Sequence, residues 1–326
     1  MTDYRTNEWR DTLSLAAPMP IVTAMDFSDS PTPAAMRIRG STELLFVAAN
    51  PVAQVKAPEV FNHVFSRAGV DAVVVPARVA SANLGGFVRE ALAVGNVRGL
   101  LVSIPHKTPL MQLLARFDAV AQAAGAVNAV RRGTDGALEG ALFDGAGFVG
   151  ALRHHGVDCT GRRVLLVGAG GAGLAIAAAL AALPLAELAV FDASADRAAA
   201  LVERIAPLAG HPLRIAPSAD PAGFDLLIQA TPLGLKAGDP LPIDAARIDA
   251  RSTLVDILMT REPSPLQRAC FERGISAFSG HEMLIQQVPA YLDFFGWREL
   301  AAALREPGST LMDEVRRLMR SPPDGP

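Results

Sequence analysis

Short apolar runs alternate with helix-like patterns along the first half of the chain. Strands are predicted at 44–48, 71–76, 99–103, 126–131 and 137–140, and helices at 58–69, 84–94, 109–117 and 119–124. The last two strands flank a turn at Asp135-Gly136. Strands that alternate with helices at this spacing predict an α/β fold with a largely parallel sheet.

The second half of the chain repeats this alternation after a predicted helix at 144–154. Strands are predicted at 164–167, 188–191, 213–215, 226–229 and 253–257, with helices between them. Beyond Gly280 we expect a long apolar helix at 283–295, a second helix at 297–305 and an amphipathic piece at 311–319. A length of 326 residues suggests two domains, since domains average about 150 residues.

Residues 164–186 contain no charged side chain, so a membrane span has to be weighed. The run has four glycines near its start and Pro184 near its end, and much of the remainder is alanine, which contributes little transfer energy. A buried strand followed by a buried helix explains the same letters, and no membrane partner is expected.

The composition narrows the function classes further. Half of the residues are hydrophobic and 19% are charged, which excludes a largely disordered chain. A net charge of −3 provides no electrostatic basis for binding nucleic acid. Two cysteines are too few for a disulfide scaffold, and residues 1–11 lack a secretory signal pattern, so we expect a cytoplasmic location. His106, His154, His155 and His281 lack metal-ligand spacing, so no metal is predicted.

A glycine-rich motif follows the predicted strand at 164–167. Its residues are Gly168, Ala169, Gly170, Gly171, Ala172 and Gly173, a G-x-G-x-x-G sequence that leads into a helix. The first glycine permits a tight turn, the second lets the backbone approach a pyrophosphate, and the third permits close helix–strand packing. The free N–H groups at the helix N-terminus attract phosphate. The motif therefore predicts a dinucleotide site.

The acidic residue after the next strand bears on the choice of cofactor. Asp192 lies 19 residues beyond Gly173, where a carboxylate accepts hydrogen bonds from the adenosine ribose and repels a 2′-phosphate. The sequence therefore favours NAD over NADP. Arg197 is the opposing consideration, because its guanidinium is near enough in sequence to reach a phosphate.

Lys107, one of only three lysines, ends the segment Ser103-Ile104-Pro105-His106-Lys107 after a predicted strand. Ligands bind at this carboxyl edge of open α/β sheets. With the segments Gly125–Ala129, Gly140–Gly145, Gln229–Gly234 and Gly280–Gln287, it resembles the motifs of the shikimate/quinate dehydrogenase family in order and spacing, over roughly residues 43–300.

This resemblance implies an NAD(P)-dependent dehydrogenase with a substrate-binding domain at 41–143 plus 282–305 and a Rossmann domain at 144–281. Residues 1–40 would form an N-terminal extension, and residues 306–326 would form a C-terminal tail. Lys107 would exchange the proton of the reacting hydroxyl and pair with Asp144, while Asn128, Gln287 and Ser103 would hold ring hydroxyls. The cofactor would also contact Ala230, Thr231, Pro232, Gly280 and Met283.

The chain departs from the family pattern where the substrate's carboxylate would bind. Val55 and Ala57 occupy the positions of two serines, Leu142 and Phe143 replace a polar pair, and Met259 replaces a tyrosine. Losing hydrogen-bond donors at about 1–3 kcal/mol each should weaken binding of the usual substrate. Lys56, between the two lost serines, could supply a replacement positive charge.

The leading hypothesis is therefore a dehydrogenase for a shikimate- or quinate-like cyclic hydroxy acid, acting as a monomer or homodimer. An alternative is an NAD-binding regulatory or sensor protein of the same fold, which the lost serines favour and the retained Lys107 and Asp144 disfavour. A different Rossmann oxidoreductase, such as a folate dehydrogenase relative, is disfavoured by the segments around Asn128 and Gln287.

Overall fold

The computed structural model describes residues 38–260 and 262–320, and these form two six-stranded sheets. The first sheet has the strand order β2-β1-β3-β5-β6-β4. Its strands are β1 (Glu43–Ala49), β2 (Ala72–Arg78), β3 (Val97–Val102), β4 (Arg116–Phe117), β5 (Ala129–Arg132) and β6 (Leu138–Ala141). The first three are parallel, whereas β5 runs antiparallel to β3 and β6, since a short turn through Gly136 joins β5 to β6.

The second sheet is parallel throughout, with the order β12-β11-β10-β7-β8-β9. Its strands are β7 (Arg163–Val167), β8 (Glu187–Phe191), β9 (Leu213–Ile215), β10 (Leu226–Gln229), β11 (Thr253–Asp256) and β12 (Ser276–Ser279). The chain order reverses between β7 and β10, and this reversal opens a crevice at the carboxyl ends of those strands, where α/β proteins bind ligands.

Eleven helices in the described residues cover the two sheets. They are α1 (Ala57–Ala68), α2 (Leu84–Ala91), α3 (Ala119–Ala124), α4 (Asp144–His154), α5 (Gly171–Ala181), α6 (Ala195–Ile205), α7 (Pro265–Glu272), α8 (His281–Ile285), α9 (Val288–Phe294), α10 (Arg298–Arg305) and α11 (Thr310–Arg320). The uncharged run at 164–186, for which a membrane span was weighed, divides into β7 and α5. Within the described part of the chain no helix is long and apolar enough to cross a membrane.

Two predicted helices were wrong in extent. The helix expected at 109–117 is a 3₁₀ turn at Pro109–Leu113, after which Leu114 becomes extended and β4 pairs with β6. The helix expected at 283–295 is divided into α8 and α9 near Gln287. Pro289 lies in the first turn of α9, where its missing N–H is tolerated, although apolar residues continue across the break. The short, partly polar strand β12 was not predicted.

The C-terminal helix α11 joins the core beside the first sheet. Leu311, Met312 and Val315 are buried there, and Glu314 bonds to both His63 and Arg67 of α1. The part of the expected tail at 306–326 that the structure describes is thus mostly a packed helix. The expected N-terminal extension at 1–40 lies outside the described residues, apart from 38–40.

Candidate active site

The candidate site lies at the carboxyl edge of the first sheet. Lys107 follows β3, and Asp144 is the first residue of α4, directly after β6 and a two-residue turn. Lys107 Nζ lies 2.7 Å from Asp144 Oδ2, and the two side chains are 31% and 14% exposed. The pair is therefore a charged contact that is sheltered but still reachable from solvent.

The loop that carries Lys107 is anchored on both sides of the lysine. The fully buried His106 ring makes a 2.9 Å hydrogen bond with Val79 O, and Lys107 O accepts a hydrogen bond from Val127 N at 3.0 Å. Ser103, at the start of the loop, is half-buried and donates its backbone N–H to Ala48 O of β1. These contacts hold the lysine in place while its terminal amine remains accessible.

Two buried amide side chains extend the ion pair into a network. Gln287 Nε2 donates to Asp144 Oδ1 at 3.3 Å, and Asn128 Nδ2 donates to Gln287 Oε1 at 3.3 Å. Asn128 Oδ1 in turn accepts a hydrogen bond from Phe143 N. Four residues that are far apart in the sequence are thus brought together, and their polar groups converge on one spot.

Tyr291 is a member of this cluster that the sequence reasoning missed. Its hydroxyl donates to Gln287 Oε1 at 3.5 Å, and burial and the charge of Asp144 raise its pKa well above the ordinary value. The phenol is therefore a neutral donor at ordinary pH. Its one detectable signal was the spacing of four residues from Gln287, which places both on one helix face.

Close packing between α4 and α8 brings Gln287 to this position. A Cβ atom added at Gly147 would collide with Met283 O and with the Gln287 side chain. Only glycine at position 147 therefore lets the two helices approach this closely. Met283 itself is mostly buried, and its N–H donates to Gly280 O at the start of α8.

The expected carboxylate-binding segment looks different from the rest of the site. Val55 and Ala57 are half-buried and pack against the core of the first sheet, so they present no polar group. Lys56 Nζ donates to Glu59 at 2.8 Å and lines a cavity of about 790 Å³, which is also lined by Met259. The structure does not bond Lys56 to the Lys107–Asp144 cluster.

The glycine motif forms the turn between β7 and α5. Gly168 has φ +112°, and a Cβ there would lie 2.7 Å from the backbone of Ala230, while one at Gly173 would collide with Gly168 O. A Cβ at Gly170 or Gly171 would have no atom within 4 Å. The first and third positions are therefore constrained by packing, whereas the N-terminus of α5 is open, and its free N–H groups suit a pyrophosphate.

Asp192 lies beside this turn at the end of β8. Its carboxylate accepts hydrogen bonds from Ala169 N, Ser194 N and the Arg197 guanidinium. Burial acts to raise its pKa, but the hydrogen bonds from Arg197 and the two backbone amides outweigh burial and hold the pKa below the ordinary value. The group is therefore an anion beside the glycine turn.

The opposite wall of the crevice is the loop after β10. Thr231 N donates to Gln229 Oε1 at 2.6 Å, and Gln229 Nε2 donates to the carbonyls of Thr231 and Leu233. The buried Gln229 therefore sets the path of the loop through Ala230, Thr231 and Pro232. Gly280 completes the wall, because a Cβ there would collide with Ile257 O.

Comparison with known proteins connects this geometry to a family. A family model described as the shikimate dehydrogenase substrate binding domain matches residues 47–130. Shikimate dehydrogenase (NADP(+)) of Rubrobacter xylanophilus is 37% identical over 256 residues, which cover 77% of this chain and 89% of the relative. The corresponding protein of Acidiphilium cryptum is 34% identical over 262 residues, covering 80% of this chain and 93% of the relative.

A solved structure agrees with these sequence matches. The shikimate 5-dehydrogenase of Listeria monocytogenes, crystallised with shikimate and NAD, is similar with a TM-score of 0.75 and 26% identity, and the match covers 87% of this chain and 99% of that one. The predicted two-domain α/β fold class and the family resemblance drawn from the motifs are both confirmed.

Proposed function

The chain belongs to the shikimate dehydrogenase family, and from that membership and the site geometry we propose that it is an NAD(P)-dependent dehydrogenase of CH–OH groups. Its substrate is a shikimate- or quinate-like cyclic hydroxy acid whose ring hydroxyl is interconverted with a ketone. The observation that carries this proposal is the 2.7 Å pair between Lys107 and Asp144, bordered by the Gln287 and Asn128 amides.

Lys107 handles the proton in this proposal. When the ring hydroxyl is oxidised, its proton passes to Lys107 Nζ in the neutral amine form as the carbon gives up a hydride, and the ammonium form returns the proton when the ketone is reduced. Asp144 orients the amine through their hydrogen bond. It also accepts a hydrogen bond from a neighbouring hydroxyl of the substrate. Asn128, Gln287 and Ser103 hold further ring hydroxyls, since amides and hydroxyls both donate and accept hydrogen bonds.

The glycine turn and the loop after β10 would hold the nicotinamide cofactor, which when bound accepts or donates the hydride. The open N-terminus of α5 receives the pyrophosphate, and Ala230, Thr231, Pro232, Gly280 and Met283 line the remainder of the crevice. We propose a preference for NAD. Asp192 stays negative and would repel a 2′-phosphate, and Arg197 already donates to this carboxylate.

The substrate's carboxylate is the part that this site binds least well. Val55 and Ala57 offer no hydroxyl, and the ammonium of Lys56 is already bonded to Glu59. We therefore propose that shikimate and quinate are weak substrates, and that the preferred cyclic hydroxy compound relies more on its hydroxyl groups for binding.

The test is steady-state kinetics with shikimate and quinate, each with NAD and NADP, followed by the absorbance of the reduced nicotinamide. Replacing Lys107 by alanine should lower kcat by about 10²–10⁴-fold, the usual contribution of a positioned acid or base. Arg89→Ala is the control, because Arg89 is exposed on α2, outside both the Lys107–Asp144 network and the proposed cofactor crevice. An unchanged rate in the Lys107 variant would refute the assignment. Nucleotide binding without turnover would favour the sensor alternative.

A further inference from the structure

A second pocket of about 350 Å³ lies between the β4–β6 edge of the first sheet and the helices α9 and α10. It is lined by Phe117, Phe143, Phe294, Arg298 and Arg305 together with neighbouring residues. The described residues that line it do not include Lys107, Asp144 or Gln287. The pocket is therefore separate from the candidate active site, although Phe143 immediately precedes Asp144.

Part of the lining of this second pocket is aromatic. Phe143 and Phe294 are half-buried, and their ring centroids lie 5.6 Å apart in an edge-to-face arrangement. The small side chains of Ala146 and Ala290 leave space beside them. Aromatic rings prefer offset or edge-to-face contacts with another ring, so these two rings suit a flat aromatic body.

Two arginines on α10 supply positive charge to the lining of the second pocket. Arg298 and Arg305 are 55% and 49% exposed, and both face the single carboxylate of Asp293, at 3.9 and 3.6 Å. Both N···O separations are longer than the length of a hydrogen bond. Arg305 also donates to Pro289 O, but the other N–H groups of the two guanidiniums make no hydrogen bond with the described residues. Donors for a second carboxylate therefore remain.

Another arginine in the lining of the second pocket plays a different part. Arg131 donates to Glu139 and to Phe294 O, and its guanidinium lies 4.5 Å from the Phe294 ring centroid. These two bonds to the protein hold the Arg131 guanidinium against the Phe294 ring. The two exposed arginines and the two phenylalanine rings thus line one space.

From this arrangement we propose that the second pocket binds an aromatic monocarboxylate. The ring lies against Phe143 and Phe294, and the carboxylate accepts hydrogen bonds from Arg298 and Arg305. Guanidinium groups match carboxylate geometry through paired N–H donors. A volume of about 350 Å³ falls within the range of about 300–1,000 Å³ that is usual for small-molecule sites. This site does not depend on the proposed dehydrogenase activity.

The test is calorimetric titration of the full chain with 2-naphthoate. We expect saturable binding with one site per chain, a loss of about tenfold in affinity when Arg298 or Arg305 becomes alanine, and a similar loss for the uncharged 2-naphthalenemethanol. Ala290→Trp fills the space and should abolish binding. Arg89→Ala, on the exposed face of α2, is the control and should bind like the parent protein.

Circular dichroism and thermal unfolding check that each variant is folded, and the two arginine variants stay informative should Ala290→Trp be unstable. The carboxylate of 2-naphthoate could instead occupy the candidate active site. Binding that survives Ala290→Trp or both arginine changes, or that is lost in Lys107→Ala, would overturn the proposal. An absence of saturable binding at millimolar concentrations would overturn it equally.

Discussion

Among the described residues, Glu282 is the most deeply buried carboxylate that takes part in an ion pair. Replacing Arg316 by alanine removes its partner. Glu282, on α8, is 1% exposed, and Arg316, on α11, is 19% exposed. Three contacts of 3.0–3.3 Å join the Arg316 guanidinium to the Glu282 carboxylate. The pair therefore connects α11 to the helix that leads into Gln287 of the candidate site.

The expected cost follows from this burial. Removing one partner of a buried ion pair typically costs about 3–5 kcal/mol, because the remaining charge is left uncompensated. Glu282 would keep its 2.8 Å hydrogen bond from Gln286, so we expect the lower end of that range, about 3 kcal/mol. Urea unfolding of Arg316→Ala and of the parent protein at neutral pH measures this difference.

The pH dependence of that difference provides a second check. Burial acts to raise the pKa of Glu282, but the hydrogen bonds from Arg316 and Gln286 outweigh burial and hold the pKa below 4.5. A lowered carboxylate pKa contributes stability above pH 4.5, and this contribution is lost as the pH falls through the folded-state pKa. The stability gap between parent and Arg316→Ala should therefore narrow in acid.

Asp313→Asn is the matched control, because it removes the exposed carboxylate that bonds to the same arginine at 2.6 Å. Exposed ion pairs contribute about 0–1 kcal/mol, so this change should be nearly neutral. If Arg316→Ala costs no more than Asp313→Asn, or if its effect does not vary between neutral and acidic pH, the assignment of Glu282 as a buried, compensated charge is wrong.

Three further changes test other parts of the molecule. Gly173→Ala should destabilise the protein by about 1–3 kcal/mol through overpacking, whereas Gly170→Ala should leave the unfolding midpoint unchanged and weaken NAD binding in a fluorescence titration. Val55→Ser combined with Ala57→Ser should lower KM for shikimate by about tenfold or more, and an unchanged KM would refute the proposed loss of carboxylate binding. Asp192→Ala should raise kcat/KM with NADP relative to NAD, and an unaltered ratio would count against its role in cofactor choice.

Local patterns in the chain were sufficient to predict most of the elements. Continuous apolar runs located β7, β8 and β10 within one residue, because strands buried on both faces leave a clear signal over four or five positions. The prediction failed where neighbouring strands overrode local preference, as at β4, and where Pro289 interrupted an apolar helix. The β12 strand is only four residues long and contains two serines, so its sequence carried little signal.

The candidate site shows where sequence information ends. The motifs around Lys107, Asn128, Asp144 and Gln287, taken with the family resemblance, were enough to name these residues. The 3.3 Å separations of Gln287 from Asp144 and Asn128 depend on close packing of α4 against α8, which Gly147 permits. The place of Tyr291 in the network was not visible either, since its role depends on burial beside Gln287.

The sequence by itself determined the α/β class, the dinucleotide turn and the chemical types of the site residues, because each depends on short segments whose physics is local. Only the tertiary structure decided that Lys56 pairs with Glu59, that Arg316 compensates Glu282, and that phenylalanines and arginines enclose a second pocket. The Arg316–Glu282 ion pair and the second pocket both bring together residues that lie far apart in the chain. Their existence depends on how helices and sheets pack, which local patterns do not specify.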